Sequence, residues 1–229
     1  MRYDAYLFDV QGTLLDFFEP VHAAVSDHLE TSGRPDVDAA EFTRAWRAEY
    51  FRRVAALQQT TQDWTAVAQV YAEGLTSVGE QFGLTVAPGD AARLAGAWQR
   101  LTPWPDVAAG VARIRRGALT ATLSNTDMST MVRLFKALGI DWDAILTAEI
   151  FGAFKPEPLV YTRALRYLGV APERAAMVAA HPYDLRAASE VGMHTVFVYR
   201  PLEFGSEAFA VDDTAGEFDH RVTDIGDIP

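Results

Sequence analysis

Residues 6–13 read YLFDVQGT, a short apolar run that ends in an acid, Asp9, and breaks at Gly12 and Thr13. Such a run reads as a buried strand opening into a loop. Further runs of strand type occupy residues 119–124, 145–148, 175–180 and 195–199. Helical periodicity fills 128–138, 158–168 and 184–191, and each segment is followed by a glycine, Gly139, Gly169 or Gly192, the expected helix stop. Strands alternating with helices of this length predict an α/β fold with a Rossmann-like, doubly wound, mostly parallel sheet.

Residues 17–98 break the alternation and read as helices only. Phe42, Trp46, Tyr50, Val54 and Leu57 recur three or four apart, as do Trp64, Ala68, Tyr71, Leu75, Val78 and Phe82. The core is therefore assigned to 1–16 and 99–229, and a helical insert to 17–98. The insert leaves the core directly after the first strand, so it is expected to act as a cap at the carboxyl edge of the sheet.

Composition narrows the function classes. The chain has 229 residues, 49% of them hydrophobic, enough for a sizeable core. With no cysteine, disulfides, thiolate nucleophiles and cysteine-ligated metals are excluded. A net charge of −11 argues against nucleic acid and anionic membrane surfaces as partners, but not against a small anionic substrate met by local donors. No run approaches the roughly 20 apolar residues of a membrane helix. The first residues lack the pattern of a signal peptide, so a cytoplasmic location is expected. A homodimer is allowed, although no segment specifies one.

Ligands of open α/β sheets bind beyond the carboxyl ends of the strands. The residues there are Asp9, Gln11 and Thr13, then Ser124 and Asn125, then Lys155, then His181, Tyr183 and Asp184. A carboxylate nucleophile, hydroxyl and amide donors, a fixed ammonium and a second acid thus converge on one edge. Each has a plainer reading: Asp184 as a helix N-cap, Ser124 and Asn125 as turn formers, Lys155 and Arg47 as solvated charges, His181 as structural.

The order of these residues resembles the haloacid dehalogenase superfamily: Asp-x-x-Gly-Thr at Asp9–Thr13, a strand-end Ser124, Lys155, and an acid at Asp184. Phosphatases of that superfamily carry an acid two residues after the nucleophile, where this chain has Gln11. An alkoxide leaving group needs a proton from such an acid, whereas a halide leaves without one. The Ser124-Asn125 pair, the KPEPLVY stretch with Lys155 and Tyr161, and Trp46-Arg47 are similar to the type II, (S)-2-haloacid dehalogenases. That resemblance implies Asp9, Lys155, Asp184 and Arg47 as catalytic residues, with Arg47 on the departing halide. It also implies a substrate pocket drawing on Thr13, Trp46, Ser124, Asn125 and Tyr161, to which Gln11, His181 and Tyr183 are added by their place at the same strand ends. The substrate would be a small carboxylate, with no cofactor.

Residues 200–205, RPLEFG, look like a variety of these enzymes that includes some able to remove fluoride. The chain departs from the typical pattern at Gln11, where a Tyr is usual, and at 179–184, AAHPYD, where Ser-Ser-Asn-x-Trp-Asp is usual. Three alternatives stay open: a phosphatase, which would require magnesium; a hydrolase of another C2 leaving group, such as one opening the ring of azetidine-2-carboxylate; and a binder without catalysis.

Overall fold

The computed structural model describes residues 3–59, 64–212 and 216–229. In chain order, β1 (Ala5–Phe8) and the short β2 (Leu15–Asp16) precede four helices, α1 (Phe18–Thr31), α2 (Ala39–Leu57), α3 (Val67–Gln81) and α4 (Pro88–Ala95). After β3 (Thr102–Pro103) follow α5 (Val107–Arg115), β4 (Leu119–Ser124), α6 (Met128–Leu138), β5 (Ala144–Thr147) and α7 (Pro158–Leu168). The chain closes with β6 (Ala175–Ala179), α8 (Pro182–Glu190), β7 (His194–Val198) and β8 (His220–Val222).

The chain divides into two compact units, Met1–Asp16 with Pro103–Pro229, and Phe17–Thr102. The second crossing falls later than the 98/99 boundary expected. The 3-10 turn Gly96–Gln99 buries Ala97 and Trp98, and the Trp98 ring stacks on Tyr71 at 4.0 Å, which draws this turn into the helical unit.

In the first unit six parallel strands run in the order β5-β4-β1-β6-β7-β8. Strand β1 is apolar throughout because strands flank it and both its faces are covered; all four of its residues are buried. The chain leaves β1 for β4 and β5 on one side, then returns to β6 on the other. Strand order therefore reverses beside β1, and in such sheets ligands bind beyond the carboxyl ends of the strands at that point, here β1, β4 and β6.

Strand β8 was not anticipated: its three residues, His-Arg-Val, are partly exposed and carry no apolar run. Helix α8 begins at Pro182 rather than at 184, since a proline suits a first helical turn, whose N–H groups have no partner within the helix. Asp184 thus lies inside the first turn instead of capping it.

The helical unit packs around aromatic rings. Tyr50 stacks on Tyr71 at 4.5 Å and Trp46 meets Trp98 edge-on at 5.6 Å. Asp38 starts α2 by accepting hydrogen bonds from the Ala40 and Glu41 amides. Helix α3 begins at Val67, so Trp64, expected within it, precedes it. No helix among the described residues is long and apolar enough to cross a membrane.

Candidate active site

Asp9 is the first residue beyond β1, and its amide continues the sheet by donating to the Val178 carbonyl at 2.9 Å. The loop then turns at Gly12, in the left-handed region at φ 88°, and brings Thr13 back beneath the acid. The Thr13 hydroxyl donates to Asp9 Oδ2 at 2.7 Å and accepts from the Ala180 amide at 2.9 Å. The first strand's loop is thereby tied to the end of β6.

Lys155 Nζ donates to Asp9 Oδ1 at 3.0 Å and also to Asp184 Oδ2. Asp184 receives the Tyr161 hydroxyl on its other oxygen at 2.5 Å. The Asn125 side chain fixes the lysine's backbone, accepting from its amide at 2.8 Å and donating to its carbonyl at 3.0 Å. Burial alone would raise the Asp9 carboxyl. The Lys155 charge, the contact and charge of His181 and the Thr13 hydroxyl outweigh that and hold it well below the usual carboxylate range. Asp184 moves the other way: burial pushes it up, Lys155 and Tyr161 counter only part of this, and the Asp9 charge adds to it. Lys155 is raised by its two carboxylates against the pull of burial, so an ionised carboxylate sits beside an ammonium.

His181, at the N-cap position of α8, bridges two acids. Nδ1 lies 3.0 Å from Asp9 Oδ2 and Nε2 lies 2.7 Å from Glu203 Oε1. Burial would lower the ring, but the Glu203 charge and the hydrogen bonds to Asp9 and Glu203 raise it to about 10. Glu203 reaches the ring over Gly12: a Cβ on Gly12 would lie 2.2 Å from Glu203 Oε1. Arg200 clamps the loop that carries Glu203, donating to the Thr13 carbonyl and to Asp106, each at 2.9 Å. Trp104 donates to the Gly12 carbonyl at 2.9 Å.

Asp9, Thr13, Lys155, Asp184, Tyr161 and His181 thus form one connected cluster, with Asn125 supporting it. Ser124 is buried at the end of β4 and shares a hydrogen bond with Thr126 at 2.9 Å. Gln11 is buried in the loop and pairs with Leu15 as an isolated bridge. Tyr183 stacks on His181 with centroids 5.6 Å apart. Trp46 and Arg47 belong to the helical unit. Trp46 is fully buried and donates to the Tyr71 carbonyl at 2.9 Å. Arg47 is not a solvated charge: it is buried among the rings of Phe17, Tyr50, Phe51 and Trp98, 4.6 to 5.4 Å from their centroids, and donates to the Tyr71 hydroxyl at 2.5 Å. Glu203 and Arg200 were missed as site residues. Their segment, RPLEFG, stood out, but a glutamate in a loop has no spacing signal that ties it to a histidine 22 residues earlier.

A magnesium ion would require hard oxygens from Asp9 and Asp184. Lys155 already engages one oxygen of each, and Gln11 supplies an amide where a further acid would stand, so these residues do not fit that metal. Among the described residues no group of three or more His, Asp or Glu side chains is arranged to hold a metal ion.

A family model described as haloacid dehalogenase-like hydrolase matches residues 3–192. The (S)-2-haloacid dehalogenase 4A of Burkholderia cepacia is 30% identical over 199 residues, 86% of this chain and 83% of that protein. The crystal structure of a defluorinating L-2-haloacid dehalogenase superposes with a TM-score of 0.89 at 33% identity, covering 99% of this chain and 96% of the other. Hexitol phosphatase A of Escherichia coli is 25% identical, over 89% of this chain and 86% of its own.

Proposed function

Because the chain belongs to the haloacid dehalogenase-like hydrolases, we propose that it is a hydrolytic dehalogenase that converts a 2-haloalkanoic acid into a 2-hydroxyacid and halide through an Asp9 ester. The observation that carries this reading is an ionised Asp9 held by Lys155 with Gln11, not an acid, two residues on. An ionised carboxylate needs no base to attack carbon, and halide needs no acid to leave. A phosphatase of this superfamily would need a metal and an acid two residues after the nucleophile, where this chain has Gln11.

Oδ of Asp9 attacks C2 in line and the C2–halogen bond breaks with its electron pair on the halide. Water then adds to Cγ. Asp184, whose raised carboxyl makes it the better proton acceptor, takes one proton, and Lys155 holds both acids in place. The 2-hydroxyacid leaves with the former Asp9 oxygen. The Ser124 end of β4 is the place for the substrate carboxylate, and Arg47, a fixed and desolvated cation, is assigned to the departing halide. The helical unit is assigned the part of a cap.

Halide release from chloroacetate, fluoroacetate and 2-chloropropanoate, set against phosphate release from an aryl phosphate with magnesium, tests this reading. Halide should appear, and should persist in chelator. Loss of activity in chelator with recovery on adding magnesium would favour the phosphatase. One turnover in oxygen-18 water with enzyme in excess should label the Asp9 peptide and leave the hydroxyacid unlabelled. The reverse pattern means that water attacks C2 directly.

A further inference from the structure

The two oxygens of Asp9 are not equivalent. Oδ2 accepts from Thr13 Oγ1 and lies against His181 Nδ1, so both of its in-plane lone pairs are engaged. Oδ1 accepts from Lys155 Nζ and has a second lone pair left for a substrate carbon. His181 is itself fixed at both nitrogens, with Asp9 on one side and Glu203 on the other. A neutral imidazole carries a single N–H, so it would turn one nitrogen lone pair toward a carboxylate oxygen 3.0 or 2.7 Å away. Only the doubly protonated ring donates to both acids.

We propose that His181, held by Glu203, is with Thr13 the donor pair of an oxyanion site: Asp9 Oδ1 is the oxygen that attacks C2, and Oδ2 becomes the ester carbonyl oxygen that takes the charge when water adds. This assignment rests on the dehalogenase reading above. In the first step the Oδ1–C2 bond forms as the halide departs. In the second, water bonds to Cγ, one proton passes through Asp184 to solvent, and the carbonyl π pair moves onto Oδ2. There it meets the Thr13 hydroxyl and the His181 N–H, donors already in position before charge develops. Collapse restores the carbonyl and breaks Cγ–Oδ1, and the departing oxygen takes water's other proton from the new Cγ hydroxyl to become the product hydroxyl, leaving Asp9 a carboxylate.

Glu203 touches no reacting atom and is a positioning residue. It keeps the ring charged and oriented, and Gly12 gives it room. The charged groups facing the ring are Asp9 beyond β1, Glu203 in the 200–205 loop, and Lys155 and Asp184 behind Asp9, with Tyr183 stacked on one face.

The test separates the two half-reactions. In His181→Ala, rapid-quench kinetics with 2-chloropropanoate should show a halide burst of about one per enzyme. Steady turnover should then be slower by about a hundred- to a thousand-fold, the usual loss for one oxyanion donor. Intact-protein mass spectrometry should show the ester accumulating on Asp9. A variant that loses the burst together with turnover places His181 in the first step and overturns the proposal, as does normal turnover without ester. Nitrogen-15 NMR of the substrate-free protein should find both His181 nitrogens protonated at neutral pH, and Glu203→Gln should move that titration, and the alkaline limb of kcat, to lower pH. A neutral ring in the wild type sinks this proposal alone, whereas wild type that releases no halide from any of the three haloacids sinks the dehalogenase reading and this one with it.

Discussion

Asp9, Asp184 and Glu203 are three carboxylates in one buried cluster with two cations, Lys155 and His181, between them. The ring of His181 is therefore worth more to the fold charged than neutral, which makes stability depend on pH with a definite sign. Its pKa rises from 6.5 to about 10 on folding, so its contribution is fully present below about 6.5 and is lost as pH climbs toward 10. Each unit of such a shift corresponds to about 1.4 kcal/mol. At about 2–4 °C per kcal/mol in a chain of this size, the melting temperature should fall by on the order of 10 °C across that window. Glu203→Gln should flatten the fall, read by thermal melts at matched ionic strength; an equally steep fall in the variant would mean that Glu203 does not set the ring's charge. Gly12→Ala should flatten the fall too, at a lower melting temperature throughout, because its methyl would occupy the place of the Glu203 carboxylate and its backbone lies in the left-handed region.

At the scale of elements, the strand ends carried most of what the sequence could tell. Asp9 is readable because it ends an apolar run that delivers it to the sheet edge, whereas Lys155 and Asp184, in the loop after β5 and the first turn of α8, are readable from their order along the chain. Glu203 is not readable, because its place depends on an absent side chain at Gly12 and on Arg200 reaching a carbonyl 187 residues away. Strand β8 escaped because an edge strand of three residues needs no apolar pattern. Helix α2 is the instructive case. Its arginines look alike in sequence, yet Arg52 is exposed and pairs with Glu49 while Arg47 is sealed among aromatic rings. Arg47→Ala should therefore destabilise the protein by about 2–4 kcal/mol, through the lost cation–π contacts and the cavity left behind. Arg47→Met fills the space without the charge and should recover most of that stability but not halide release. If the methionine variant turned over normally, Arg47 would be a packing residue and no halide ligand.

Over the whole molecule, the charge of −11 and the proposed anionic substrate set the local and global fields against each other. The buried cluster does not reverse the sign, since its three carboxylates exceed its two cations. An approaching haloacid thus meets net repulsion at long range, and short-range donors act only once it has entered. Screening length falls from about 30 Å at 0.01 M salt to about 8 Å at 0.15 M, so added salt removes the long-range part and leaves the contacts within the site. Encounter between like charges then becomes faster, the reverse of electrostatic steering. We expect kcat/KM for 2-chloropropanoate to rise with ionic strength, by about two-fold or more over that range, while kcat stays nearly constant because the proposed ester-forming and ester-breaking steps would occur within the buried cluster. Sulfate is the salt to use, since chloride is a product of the proposed reaction and would compete for the proposed halide position. A steep fall of kcat/KM with sulfate would show that a positive local field governs capture. Cations close to Asp9 would then outweigh the acidic surface.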